Sequence, residues 1–161
     1  MKPRLRCLPI LLAPALLAGG APERPFRVGI VGAFPLSDFK DRTSGSGVGL
    51  SAGWAFWQVS PGGTLGLRLA HRTFGTPTDR ATVTDAGFDL CTRFRGGFYD
   101  RFSLGAARVE LPGRPATTKL AGEFGIGYRF EVPVGLEVYH ARLAASEPPS
   151  ATVNVAVSWY F

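Results

Sequence analysis

Acidic and basic residues recur along the second half of the chain at spacings that could support chemistry. Asp85 and Asp89 stand four residues apart with Arg93 four further on, and Glu123 lies at even offsets from Lys119 and Arg129. Paired carboxylates can divide general-acid and general-base work between them when their environments differ. With arginines on the same face they instead form ion pairs, and charges taken out of water need that pairing. The two histidines, His71 and His140, have no second histidine nearby. No metal and no cofactor is therefore expected. Cys7 and Cys91 are too few for a disulfide framework or a thiolate zinc site, and Cys91 reads as a small buried residue. The glycine-rich stretch 43–47 leads from no buried strand into a helix, so it reads as a loop and not as a phosphate cradle.

Those charges need a scaffold, and composition restricts which one. The chain has 161 residues, 45% hydrophobic and 19% charged, with 21 Gly, 13 Pro and 12% aromatics. About 25% charge is usual for a soluble domain. So much Gly, Pro and Phe argues against a helical bundle, and the apolar content argues against disorder. A single all-β domain remains.

The first 20 residues read as an address. Lys2, Arg4 and Arg6 precede an apolar run from Cys7 to Ala18, and small residues follow at Gly19, Gly20 and Ala21. That is the pattern of a secretory signal peptide, with the cut at 18–21. The run is shorter than the roughly 20 residues a membrane-spanning helix requires. Removing these residues lowers the formal net charge from +6 to +3. A nucleic-acid partner is not expected on that balance. Residues 21–161 then form the folded domain, and any membrane insertion must be by strands.

From Phe26 onward, alternating segments are separated by turn-rich breaks. Strands are predicted at 26–34, 47–58, 64–72, 81–94, 98–109, 117–130, 134–142 and 151–161. The links between them alternate: the first, third, fifth and seventh read as long and the others as short. An antiparallel meander would collect the long links at one end and the tight turns at the other. Outer-membrane barrels carry that asymmetry. The fold class is thus all-β, an eight-stranded antiparallel up-and-down transmembrane β-barrel.

The two faces of each strand determine its orientation. Val153, Val155, Val157, Trp159 and Phe161 share one face, as do Leu120, Phe124, Ile126 and Tyr128. The opposite faces mix Gly and Ala with Arg27, Arg68, Asp85, Asp89, Arg93, Arg101, Lys119, Glu123, Arg129 and Glu137. A soluble, lipocalin-like periplasmic barrel would turn this mixed set to water. Glycine and alanine are poor material for a solvated strand face. In a narrow lumen they leave room for a few large, mutually neutralising charges. Trp54, Phe56, Trp57, Phe94, Phe98, Tyr128, Phe130, Trp159 and Phe161 are predicted near the short-turn end, as an aromatic girdle requires. Phe34, Phe74 and Phe88 would form a thinner opposite rim.

In these features the mature chain resembles the small eight-stranded outer-membrane β-barrel proteins of Gram-negative bacteria. The most specific element is the terminus Val155-Ala156-Val157-Ser158-Trp159-Tyr160-Phe161. In that family Val157, Trp159 and Phe161 would act as the signal read by the barrel-assembly machinery. The stretches Glu123–Phe130 and Gly135–His140 also resemble the C-terminal part of the lipid A deacylases, barrels with a His-x-Ser pair facing the lipid. His140 matches that histidine. The position two residues on is Arg142, and the only acidic residue that follows is Glu147. Ester hydrolysis needs a nucleophile beside its base, so no catalytic residue is assigned unless the chain is deacylase-like, with His140 as base. Ser146 or Ser150 could replace the serine only after loop rearrangement.

The expected role is a non-enzymatic outer-membrane component with a side-chain-filled lumen, in contact with membrane lipid and lipopolysaccharide. Asp38, Lys40, Asp41, Arg42, Arg72, Asp79, Arg80 and Arg114 would lie in the outer loops and could meet an extracellular partner. Porin activity is not expected from eight strands.

Overall fold

The computed structural model describes residues 20, 22–43, 45–76, 79–143 and 151–161. The predicted signal peptide, apart from Gly20, and the serines of the last long link therefore lie outside the described residues. Eight strands follow one another: β1 (Phe26–Leu36), β2 (Gly47–Gln58), β3 (Gly63–Gly75), β4 (Arg80–Arg93), β5 (Phe98–Glu110), β6 (Thr117–Arg129), β7 (Val134–Leu143) and β8 (Ala151–Tyr160). Each pairs antiparallel with its sequence neighbours, and β1 pairs with β8 to close the barrel. Closure leaves no sheet edge to pair with another chain. The seam ends on Phe26 and Phe161, whose amides and carbonyls exchange two hydrogen bonds of 3.0 Å.

Local chemistry accounts for the details. β1 extends two residues past the predicted end, through Pro35. Its pairing with β2 stops at Ala33, while Pro35 remains opposite Thr152 of β8, so the missing N–H faces no ladder. In β2 a bulge between Ala55 and Trp57 shifts the register, so Trp57 pairs with outward-facing Leu65. Strict alternation would have turned Trp57 toward the lumen; the extra residue turns it to the outside beside Trp54 and Phe56.

The first long link contains a six-residue helix, α1 (Ser37–Arg42), which hydropathy periodicity does not reveal. So short a helix has little stability of its own. It is held by Phe39, buried against Phe74 edge-on at 5.1 Å, and by Thr43 Oγ1 donating to the Phe39 carbonyl at 3.0 Å.

The third link is a correction. β3 runs to Gly75 and β4 begins at Arg80, so only residues 76–79 connect them, no more than the turns at 59–62, 94–97 and 130–133. The loop asymmetry rests on the first, fifth and seventh links. Three assignments at the outer end also change. Phe74 and Arg72 continue the inward face of Arg68 and Ala70, so both are buried in the lumen. Phe88 lies outward but near mid-barrel, between Leu67 and Leu104.

Polarity is inverted relative to a soluble barrel. Val48, Leu50, Phe124 and Ile126 point outward and are 58–70% exposed, whereas Arg101 and Asn154 inside the barrel are 1% and 0% exposed. An apolar surface of this extent marks a membrane or partner interface. The strands, 10 to 14 residues long, meet the roughly 9–11 residues that a tilted strand needs to cross hydrocarbon. Among the described residues no helix is long and apolar enough to cross a membrane.

Candidate functional site

Inward parity on six strands brings the charges to one level of the lumen. Arg27 (β1), Arg68 and Arg72 (β3) and Arg101 (β5) face Asp85 and Asp89 (β4), Glu123 (β6) and Glu137 (β7). Four cations thus meet four carboxylates. Arg101 is the hub: its Nε donates to Glu137 Oε1 at 2.7 Å, and its Nη1 to Asp89 at 3.2 Å and Glu123 at 3.1 Å. Arg27 donates to Asp89 at 2.6 Å, and Arg68 to Asp85 at 2.9 Å. Arg68 also pairs with Glu123, and Arg72 with Asp85 and Glu123.

Tyrosines complete the layer. The Tyr139 ring lies under the guanidiniums of Arg68 and Arg101, at 4.9 and 4.7 Å, and its hydroxyl accepts from Arg68 at 2.8 Å. Tyr99 donates to Glu137 at 2.9 Å. Lumen-facing glycines make the space. A Cβ on Gly53 would lie 2.5 Å from Arg27 Nε, and one on Gly127 would overlap the Tyr99 ring. With every carboxylate engaged, the layer does not present the free acid–base pair that hydrolytic chemistry requires.

Not all the charges predicted on this face join it. Lys119, at the long-loop end, is half-buried, while Arg93 and Arg129 sit at the turn end; none of them pairs with a carboxylate among the described residues. Arg129 instead stacks over the Tyr160 ring at 4.3 Å. Arg72, expected in an outer loop, belongs to the network, and its even spacing from Arg68 was the signal available in the sequence. Cys91 is half-buried on the lumen side near the turn end.

Above the charged layer, toward α1, the lumen is apolar. Ala33, Phe39, Phe74, Val83, Val109 and Leu143 pack into one buried cluster. Below it, at the turn end, a cavity of about 270 Å³ opens, with Arg27, Asp89, Tyr99 and Tyr160 among the residues that line it.

The outer surface has its own order. At the turn end Phe56, Trp54, Phe26 and Phe161 form a chain of ring contacts of 5.6–6.4 Å, and Phe98, Tyr128 and Phe130 a second of 4.9–5.0 Å. Phe94 and Trp159 are exposed at the same level. At the other end, His71, Thr84, Arg108 and Thr118 stand in register across β3 to β6 as a polar row on the outer wall. His71 Nδ1 lies 2.8 Å from Thr84 Oγ1. His140 is exposed on the outer wall between Phe124 and Val153, with exposed Arg142 two residues on. Lys40, Asp41, Asp79, Arg80 and Arg114 are exposed at this end, and the side chain of Asp38 lies outside the described set.

No protein-family model matches the chain, and no curated protein matches it. Solved structures do. The N-terminal β-barrel domain of Pseudomonas aeruginosa OprF superposes with a TM-score of 0.68 at 14% identity, over 89% of this chain and 99% of that one. The fold is that of the small outer-membrane β-barrels. Yersinia pestis Ail, the attachment invasion locus protein, aligns with a TM-score of 0.62 at 11% identity, covering 88% of this chain and 99% of Ail. A designed transmembrane β-barrel aligns at 0.57 and 15% identity, over 89% and 99% of the two chains. At such identities these outer-membrane barrels share strand order and closure with this chain. Its lumen residues and rims must be read from its own side chains.

Proposed function

We propose that the protein is an integral outer-membrane protein whose sealed barrel is a lipid-embedded anchor, and whose long-loop end meets lipopolysaccharide or an extracellular partner. The observation that carries this reading is the inverted polarity: an apolar wall outside and a neutralised charge layer inside. In this reading residues 1–20 direct export. The terminal Val157, Trp159 and Phe161 then present the assembly machinery with its recognition strand.

The polar row at the long-loop end supports the surface role. Arg108, whose Nε meets exposed Glu110 at 2.8 Å, and Arg142 project from the outer wall where the apolar face gives way to His71, Thr84 and Thr118, and Arg80 and Arg114 lie beyond. Guanidiniums at headgroup level suit bidentate pairing with lipid phosphates. Ail has been solved in complex with the heparin analogue sucrose octasulfate. A polyanion is the ligand chemistry that the basic residues of this rim would also favour.

The test is reconstitution with lipopolysaccharide. The purified barrel is expected to run as a compact, heat-modifiable species in detergent and to retain lipopolysaccharide. The double substitution Arg108→Gln/Arg142→Gln is expected to weaken that retention several-fold while leaving heat modifiability intact. Solubility without detergent would overturn the membrane reading, and unchanged retention would overturn the rim assignment.

A further inference from the structure

The cavity at the turn end is rich in arginine, and the sealed-anchor reading leaves it unexplained. Its floor is the Arg27–Asp89 pair, joined at 2.6 Å, so those charges are already spent on each other. Its wall carries three more arginines, Arg24, Arg93 and Arg129, from the segment before β1 and from the ends of β4 and β6. Among the described residues none of the three has a carboxylate within ion-pair distance, although Glu23 stands on the same wall. Arg24 and Arg93 are near enough to Arg129 to repel it, with Glu23 offsetting part of that repulsion. Gln58, Thr64 and Tyr160 add neutral polar groups.

Elsewhere in the lumen this chain balances every arginine against a carboxylate. Here it gathers like charges around an open space and supplies one exposed acid. Such a cluster is stabilised by an anion that enters from outside, and a recess with low-dielectric walls focuses the field on it. We infer that the turn-end vestibule is a binding site for a phosphate group. A carboxylate offers two oxygens, whereas a terminal phosphate offers three, one for each guanidinium, and arginine forks match its geometry. At about 270 Å³ the space suits a small organic phosphate or a lipid headgroup and excludes a polymer. On the outer-membrane reading this mouth opens to the periplasmic side, but the site depends only on the cavity and its arginines.

The experiment uses the full folded barrel in zwitterionic nanodiscs, titrated with inorganic phosphate and with glycerol 3-phosphate while arginine side-chain NMR signals are followed. A second sample replaces part of the lipid with phosphatidylglycerol. Saturable shifts of Arg93 and Arg129 with the soluble phosphates assign the site to a soluble ligand. Shifts confined to the phosphatidylglycerol sample assign it to a headgroup. In either arm Arg93→Gln/Arg129→Gln is expected to weaken binding at least tenfold, whereas Lys119→Gln at the opposite end is expected to leave it unchanged. Heat modifiability checks that each variant is folded. The absence of saturable shifts in both samples, or equal affinity in the double variant, overturns the proposal. The same data leave the anchor reading standing, because detergent dependence tests that separately.

Discussion

Arg101 on β5 and Glu137 on β7 meet across the lumen at 2.7 Å without being on adjacent strands, and Arg101 simultaneously reaches Asp89 and Glu123. This contact bridges the barrel's interior instead of its wall. Removing one partner from a buried pair leaves an uncompensated charge, typically at a cost of about 3–5 kcal/mol. Arg101→Met, which strips a cation from three carboxylates, is expected to fall at or above that range. Glu137→Gln keeps acceptor and donor atoms and is expected to cost less. Urea midpoints read from the heat-modifiable band check the order, and a milder loss for Arg101→Met would contradict the hub assignment.

The charged and apolar layers lie one above the other, so the lumen is sealed twice. Single channels larger than background are not expected in planar bilayers. Phe39→Ala alone is expected to leave conductance unchanged, because the arginine–carboxylate layer still fills the tube. Ion steps in that variant would show that the charged layer is permeable.

Phe39 holds α1 onto Phe74 by one edge-on ring contact. Truncating a buried phenylalanine usually costs about 3–5 kcal/mol, here drawn from a six-residue element with few other anchors. Phe39→Ala is therefore expected to speed tryptic cleavage after Lys40 and Arg42 by at least tenfold while the barrel remains heat-modifiable. Mass spectrometry of the fragments locates the cuts. Equal cleavage rates would mean that α1 is held by something other than this ring.

The bulge at Ala55/Trp57 sets Trp57 on the outer wall, and its indole N–H has no partner among the described residues. That N–H is buried, so it is the half-buried ring that meets the headgroup region. Single-tryptophan variants keeping Trp57 or Trp159 are expected to be quenched most strongly by lipids brominated near the glycerol. Strong quenching of Trp57 by aqueous iodide instead would place it in the lumen mouth.

Phe161 closes the seam twice, through its backbone exchange with Phe26 and through ring stacking at 6.1 Å. Phe161→Ala keeps the backbone bonds. It is expected to slow spontaneous folding into lipid by less than threefold, yet to lower insertion in cells by tenfold or more if the terminus is also read during assembly. Comparing the two rates separates a structural role from recognition.

Much of this architecture was legible because a strand's period of two needs no partner to be seen. The alternation of Val, Leu and aromatic residues against Gly, Ala and charges indicated the strands and the orientation of their faces. Arg72, the last residue of the predicted strand 64–72, and Phe74, just beyond it, carried the same parity as Arg68 and could have been placed inside on that ground. Their position near a turn hid them. α1 was invisible because six residues with one buried ring show no helical period. The orientation of Trp57 depended on a bulge, which is a property of two paired strands.

The sequence by itself determined for most strand positions which side chains face lipid and which face inward, since that follows from local alternation and the avoidance of buried charge in hydrocarbon; Trp57, Arg72 and Phe74 were the exceptions. Only the tertiary structure decided which arginine meets which carboxylate, where the lumen is plugged, and that three arginines share a vestibule without a paired acid. Those relations depend on interstrand register and closure, which bring together residues such as Arg68 and Glu123 that lie far apart along the chain.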